Sequence, residues 1–78
     1  METMLRCPAV TAAIGDSRST LYSRIAEGLF VPPVRIGRRS VAWPSSEVEA
    51  VNAARIAGKS EDEIRTLVDR LRAARKAA

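Results

Sequence analysis

The pair Pro32-Pro33 constrains this chain more than any other stretch of it. Neither residue can donate a backbone hydrogen bond, and their fixed φ stops any helix from running through them. The chain reads as helical on both sides, so the prolines leave two helical parts joined by an extended middle. Directly after them the β-branched Val34, Ile36 and Val41 flank Gly37-Arg38. Glycine at the first central position suits a two-residue type II′ turn. The predicted hairpin sets Val34 opposite Val41, with Trp43 two residues further along the same face as an apolar anchor in the core. Arg35, Arg38 and Arg39 then cluster near its tip.

Ahead of the prolines lie two short helices. The first opens at Pro8, places Val10, Ala13 and Ile14 on one face, and stops at Gly15. The second takes Ser17 as its N-cap, uses Leu21 and Ile25 as a buried stripe, and closes at Gly28. A short helix, a tight glycine-containing turn and a separately capped second helix make a helix-turn-helix pattern. With Leu21 and Ile25 inward, Arg18, Ser19, Thr20, Ser23 and Arg24 lie on or beside the exposed flank. Tyr22 is counted with them among the candidate contacts of this helix, and either gives its hydroxyl to the backbone or flanks the core. A basic-tipped hairpin after such a pair is the layout of a winged helix-turn-helix, so the fold expected is mainly α with a small β-hairpin.

Two further helices follow. In the third, Ser46 and Glu49 match a capping box, Val48, Val51 and Ile56 supply apolar contacts, and Gly58 ends it. The fourth carries a second capping box, Ser60 with Glu63, and a stripe of Ile64, Leu67, Val68 and Leu71 at i, i+3, i+4, i+7. That stripe needs a partner, either the rest of the domain or another protomer, and the second is the one favoured. Glu61, Asp62 and Glu63 at its start and Arg70, Arg72, Arg75 and Lys76 at its end suit the helix macrodipole without any ligand. The Ala73–Ala78 end is expected to fray. The division expected is a winged helix-turn-helix domain over 1–58 and a C-terminal helical extension over 59–78.

Composition removes most chemistry. The chain has no histidine and a single cysteine, Cys7, read as a small buried residue near the first helix. An intramolecular disulfide, a cysteine-based zinc site and the commonest general base are all excluded. No spaced catalytic carboxylate pair or phosphate loop stands in their place, so no cofactor, metal or enzymatic activity is expected. No stretch reads as a signal peptide or membrane span, which makes the expected location cytoplasmic.

What remains is charge. The net charge is +4, and eleven of the thirteen basic residues are arginine. The excess sits in residues 1–43, at +3. Arginine's planar fork suits phosphates and guanine edges. A recognition helix enters the major groove N-terminus first, where short donors and arginines are wanted. Three arginines at a turn gain from a neutralising phosphate backbone. Taken singly, each group also fits a solvated surface; taken together they point to double-stranded DNA.

Over residues 5–55 the chain resembles the AlpA-type prophage regulators and related phage excisionases, small relatives of the MerR DNA-binding domain. The matching pieces are "SRSTLY" opening the second helix, "IAEGLF" leaving it, "PPVRIGRRSVAW" for the wing and "SSEVEA" in the next helix. The resemblance implies a MerR-like winged helix with Arg18, Ser19, Thr20, Ser23 and Arg24 toward the groove and Arg35, Arg38 and Arg39 on the wing. It further implies an excisionase that binds several adjacent sites, bends attachment-site DNA and favours integrase-mediated excision. The partners would be DNA, a phage integrase and further copies of itself, in a bacterial cell or nucleoid. A transcriptional regulator using the same surface is the alternative, and a protein-interaction module docking through the fourth helix is a third. After Gly58 the chain departs from the family pattern by adding its amphipathic helix.

Overall fold

The computed structural model describes residues 2–77. In chain order its elements are β1 (Met4–Leu5), α1 (Cys7–Ile14), α2 (Arg18–Ala26), β2 (Val34–Arg35), β3 (Val41–Pro44), α3 (Ser45–Ile56) and α4 (Glu61–Ala77). The fold is therefore mainly helical, with four helices and a small antiparallel sheet of three strands.

Local signals set most helix ends. Pro8 sits in the first turn of α1, and Gly15 ends it in the left-handed region at φ 74°. In that conformation the Gly15 N–H returns to the Thr11 carbonyl, satisfying a terminal acceptor. At the start of α2 the Ser17 Oγ accepts the Thr20 N–H at 3.2 Å. The capping box of α4 forms as expected: Ser60 N–H donates to Glu63 Oε1 at 3.1 Å, and Glu63 N–H to Ser60 Oγ at 3.2 Å.

Four expectations are corrected. The hairpin has a three-residue loop, Gly37 to Arg39, closed by the Ile36 N–H bonding the Ser40 carbonyl. Its register pairs Val34 with Ala42 and Arg35 with Val41, one residue away from a two-residue turn. A one-residue slip exchanges faces, so Val34 shares its face with Ala42 rather than with Val41 and Trp43. The second correction is an unforeseen strand: β1 pairs with the other edge of β3, Leu5 opposite Trp43. The central strand β3 is thereby paired on both edges, and its adjacent residues Ala42 and Trp43, on opposite faces, are both fully buried.

Third, Ser46 and Glu49 form no capping box. The helix begins at Ser45 with Pro44 as an N-cap that has no side-chain oxygen to offer. Glu2 supplies the cap from the other end of the chain, accepting the Ser46 N–H at 2.9 Å and the Ser46 and Ser45 hydroxyls at 2.6 and 3.0 Å. Fourth, α4 is regular helix to Ala77, through all of the Ala73–Ala78 end except Ala78, which lies outside the described residues. Arg75 anchors it: its Nε donates to both Glu47 carboxylate oxygens at 3.0–3.1 Å, and its Nη2 donates to the Pro32 carbonyl at 2.8 Å.

The core gathers Val10, Leu21, Val48 and Val51 from the first three helices, Trp43 from the sheet, and Ile64 and Val68 from α4. Leu29, Phe30 and Val31 join it from a segment with no regular structure. The Trp43 indole N–H bonds the Val31 carbonyl at 3.0 Å, so the buried donor is satisfied and the irregular segment is tied to the sheet.

Candidate nucleic-acid interface

The α2 face expected to be exposed divides in two. Arg18, Ser19, Tyr22 and Ser23 are exposed. Thr20 is half-buried, and its hydroxyl accepts a hydrogen bond from Ser17 Oγ at 3.0 Å. Arg24 is half-buried as well. Its Nε meets Asp16 Oδ2 at 2.8 Å, and Arg55 approaches the same carboxylate oxygen at 3.6 Å. The turn between the two helices thus carries a carboxylate that ties α2 to α3.

Tyr22 flanks the core instead of bonding the backbone through its hydroxyl. Its ring stands edge-on to Trp43 with centroids 6.3 Å apart, and the Arg18 guanidinium lies 5.7 Å from the Tyr22 centroid. A cation held against an aromatic face loses little further freedom when it binds an anion. The chain Trp43–Tyr22–Arg18 therefore orients an exposed positive charge from a fixed core position.

The hairpin presents Arg35, Arg38 and Arg39 to solvent. Arg39 and Val41 come together with Arg18 and Tyr22 around one groove, to which Arg6, Cys7 and Pro8 also contribute. The structure so joins one α2 arginine and one hairpin arginine, while Arg35 and Arg38 stand apart from that groove. Arg6 lay outside every expected motif. Its signal was an arginine just before a helix-initiating proline, and β1 pairing with β3 is what carries it toward the hairpin.

The charges sort themselves further. Among the described residues Arg24, Arg55, Arg65 and Arg75 each face a carboxylate within 4 Å. Arg6, Arg18, Arg35, Arg38 and Arg39 face none there, and neither do Arg70 and Arg72 of α4. The stripe of α4 lies on the core: Ile64 and Val68 are buried, and Leu67 and Leu71 are partly buried against it. No helix among the described residues is long and apolar enough to cross a membrane, and no three His, Cys, Asp or Glu side chains gather to hold a metal ion.

Comparison with known proteins gives this surface a context. No solved structure matches the chain. It is similar to a protein of Enterobacteria phage P4 named "Uncharacterized protein ORF88", at 50% identity over 58 residues, which is 74% of this chain and 66% of that one. Residues 3–56 match the family described as Prophage CP4-57 regulatory protein (AlpA). That span runs from β1 to the last turn of α3 and takes in the helix pair, the hairpin and the unpaired Arg6, Arg18, Arg35, Arg38 and Arg39. The chain accordingly belongs to the AlpA family of prophage regulatory proteins.

Proposed function

We propose that this protein is a sequence-specific DNA-binding regulator with a winged helix-turn-helix architecture. In this reading α2 is the recognition helix and enters the major groove N-terminus first. Arg18, Ser19, Tyr22 and Ser23 face the DNA directly, while Thr20 and Arg24 hold the helix in position through Ser17 and Asp16. The hairpin is the wing, with Arg35, Arg38 and Arg39 against the phosphate backbone. Residues 1–58 carry the contacts, and the 59–78 extension braces them from behind.

One observation carries the reading: the arginines of α2's first turn and of the hairpin face no carboxylate, whereas Arg24, Arg55, Arg65 and Arg75 are paired within the fold. An uncompensated positive surface is stabilised by a polyanion. Salt dependence tests it. With about four or five phosphates neutralised, log K falls against log[salt] with a slope of about −4. A flat response would remove DNA from the account and favour a protein-interaction module.

Within DNA binding, the finer role we infer is that of an excisionase. Several copies on adjacent sites would bend attachment-site DNA, at an elastic cost of about 1–6 kcal/mol offset by contacts from each protomer. An integrase would be the recombination partner. The family description, a regulatory protein, supports a second reading in which the same surface controls a promoter. Footprinting separates the two: protection and bending at an attachment site support the first, and protection confined to a promoter overturns it.

A further inference from the structure

We propose that the groove shared by Arg6, Arg18 and Arg39 is a phosphodiester-binding site, and that Arg6 is a DNA-contacting residue. The inference rests on the DNA reading above and adds to it a third chain segment, outside both the recognition helix and the wing. The three arginines come from the β1–α1 junction, the first residue of α2 and the hairpin loop. No acidic residue lines the groove, and among the described residues none of the three forms an ion pair. Three arginines around one groove give it a positive potential, and among the described residues no carboxylate pairs with them to offset it. An anion bound among them would.

The remaining lining identifies the anion. Cys7, Pro8, Tyr22 and Val41 give the groove an apolar component beside its charge. A DNA backbone has the matching character, charged phosphate oxygens flanked by the C–H faces of deoxyribose. A small inorganic anion would use the arginines alone. The groove also joins the start of α2 to the hairpin, so a strand leaving the recognition helix reaches the wing through it.

Arg6 is suited to this role because its backbone is fixed twice while its side chain is exposed. Leu5 is held in the β1–β3 ladder, and the Arg6 carbonyl accepts the Val10 N–H at 3.0 Å. Changing its side chain therefore leaves the fold in place.

The test uses the full chain and a mixed-sequence DNA duplex at low salt, so that no operator need be known. Arg6→Gln is expected to reduce the slope of log K against log[salt] by about 0.9, one phosphate's worth, and Arg6→Lys to restore it. Cys7, the chain's single cysteine, gives a readout that needs no substitution. DNA is expected to slow its alkylation by iodoacetamide in proportion to the fraction of protein bound. A steep wild-type slope that Arg6→Gln leaves unchanged, with Cys7 alkylated equally fast in saturating DNA, overturns the groove site and leaves the DNA reading intact. Absence of salt-dependent binding by the wild type removes both.

Discussion

Arginine occurs in this chain in two populations, separated by whether a carboxylate lies within reach. Arg24 belongs to the paired one despite its place on the recognition helix, because Asp16 in the preceding turn holds its Nε. Arg18, one residue past the N-cap, belongs to the other and leans on Tyr22. The two therefore predict different variants. Arg18→Ala is expected to weaken binding to all sequences and to lower the salt slope by about 0.9 while leaving the melting temperature unmoved. Arg24→Ala is expected to lower the melting temperature and weaken all sequences alike, since it frees α2 rather than removing a phosphate contact. Melting curves and binding to a panel of operator variants check both; relaxed specificity at unchanged stability for Arg24→Ala would make it a direct reader. Two carboxylates add a pH signature. Hydrogen bonds from the Ser46 hydroxyl and N–H hold Glu2 below its ordinary value of 4.5, and those from the Ser60 N–H and hydroxyl do the same for Glu63. A depressed folded-state pKa contributes stability that is present above the unfolded value and lost as pH falls through the folded one. Stability is thus expected to fall as pH drops below about 4.5, and to fall less in the Glu2→Gln, Glu63→Gln double variant, read as melting temperature against pH.

Among the elements, α4 departs furthest from what local pattern conveys. Its stripe of Ile64, Leu67, Val68 and Leu71 predicts an amphipathic helix correctly, but periodicity does not name the surface that covers it. In the structure that surface is the domain itself, against α3 and the core. Polar contacts close the ends: the Arg65 Nε donates to the Glu27 carbonyl at 3.0 Å near α2, and Arg75 meets Glu47 at the start of α3. Ile64→Ala is expected to cost about 2–5 kcal/mol through lost burial and a residual cavity, measured by denaturant unfolding. A cost near zero would mean that the helix is detached in solution. The sheet teaches a complementary lesson. A hairpin was legible from Gly37 and its β-branched flanks, yet its register was not, because loop length decides register and a single residue exchanges the faces.

At the scale of the whole molecule, one core spans the family-matched region and the extension beyond it. A chain of this size buries only about 60% of the surface its unfolded form exposes, so the core has little to spare. Ending the chain at Gly58 removes Ile64 and Val68 from the core and leaves Glu47, 7% exposed, without its arginine. A buried charge stripped of its partner is strongly destabilising. The truncated chain is therefore expected to lose its cooperative thermal transition, seen by far-UV circular dichroism. Retention of that transition, with loss of cooperative DNA binding instead, would make α4 an assembly element. The same architecture explains how the positive surface is kept open: α4 places carboxylates near Arg65, and the helix-helix turn places one near Arg24, while β1, α2 and the hairpin place none near Arg6, Arg18 or Arg39.

By itself the sequence determined what depends on near neighbours. The Ser17 and Ser60 caps, the glycine stops, the proline break and the arginine-tipped hairpin each follow from a few adjacent side chains and backbone torsions. The α2 face could be delimited the same way, because Leu21 and Ile25 fix which side turns inward. Tertiary structure decided everything that joins distant positions. Glu2 caps α3 across more than forty residues in place of Glu49, Leu5 pairs with Trp43, Phe30 enters the core from an unpatterned segment, and Arg6 reaches the hairpin groove. No periodicity or cap encodes such pairings, since their free energy comes from surfaces that exist only once the chain has closed. Which arginines remain uncompensated is a property of that closure too: the sequence counts the charges, and packing determines which of them lie close enough to cancel.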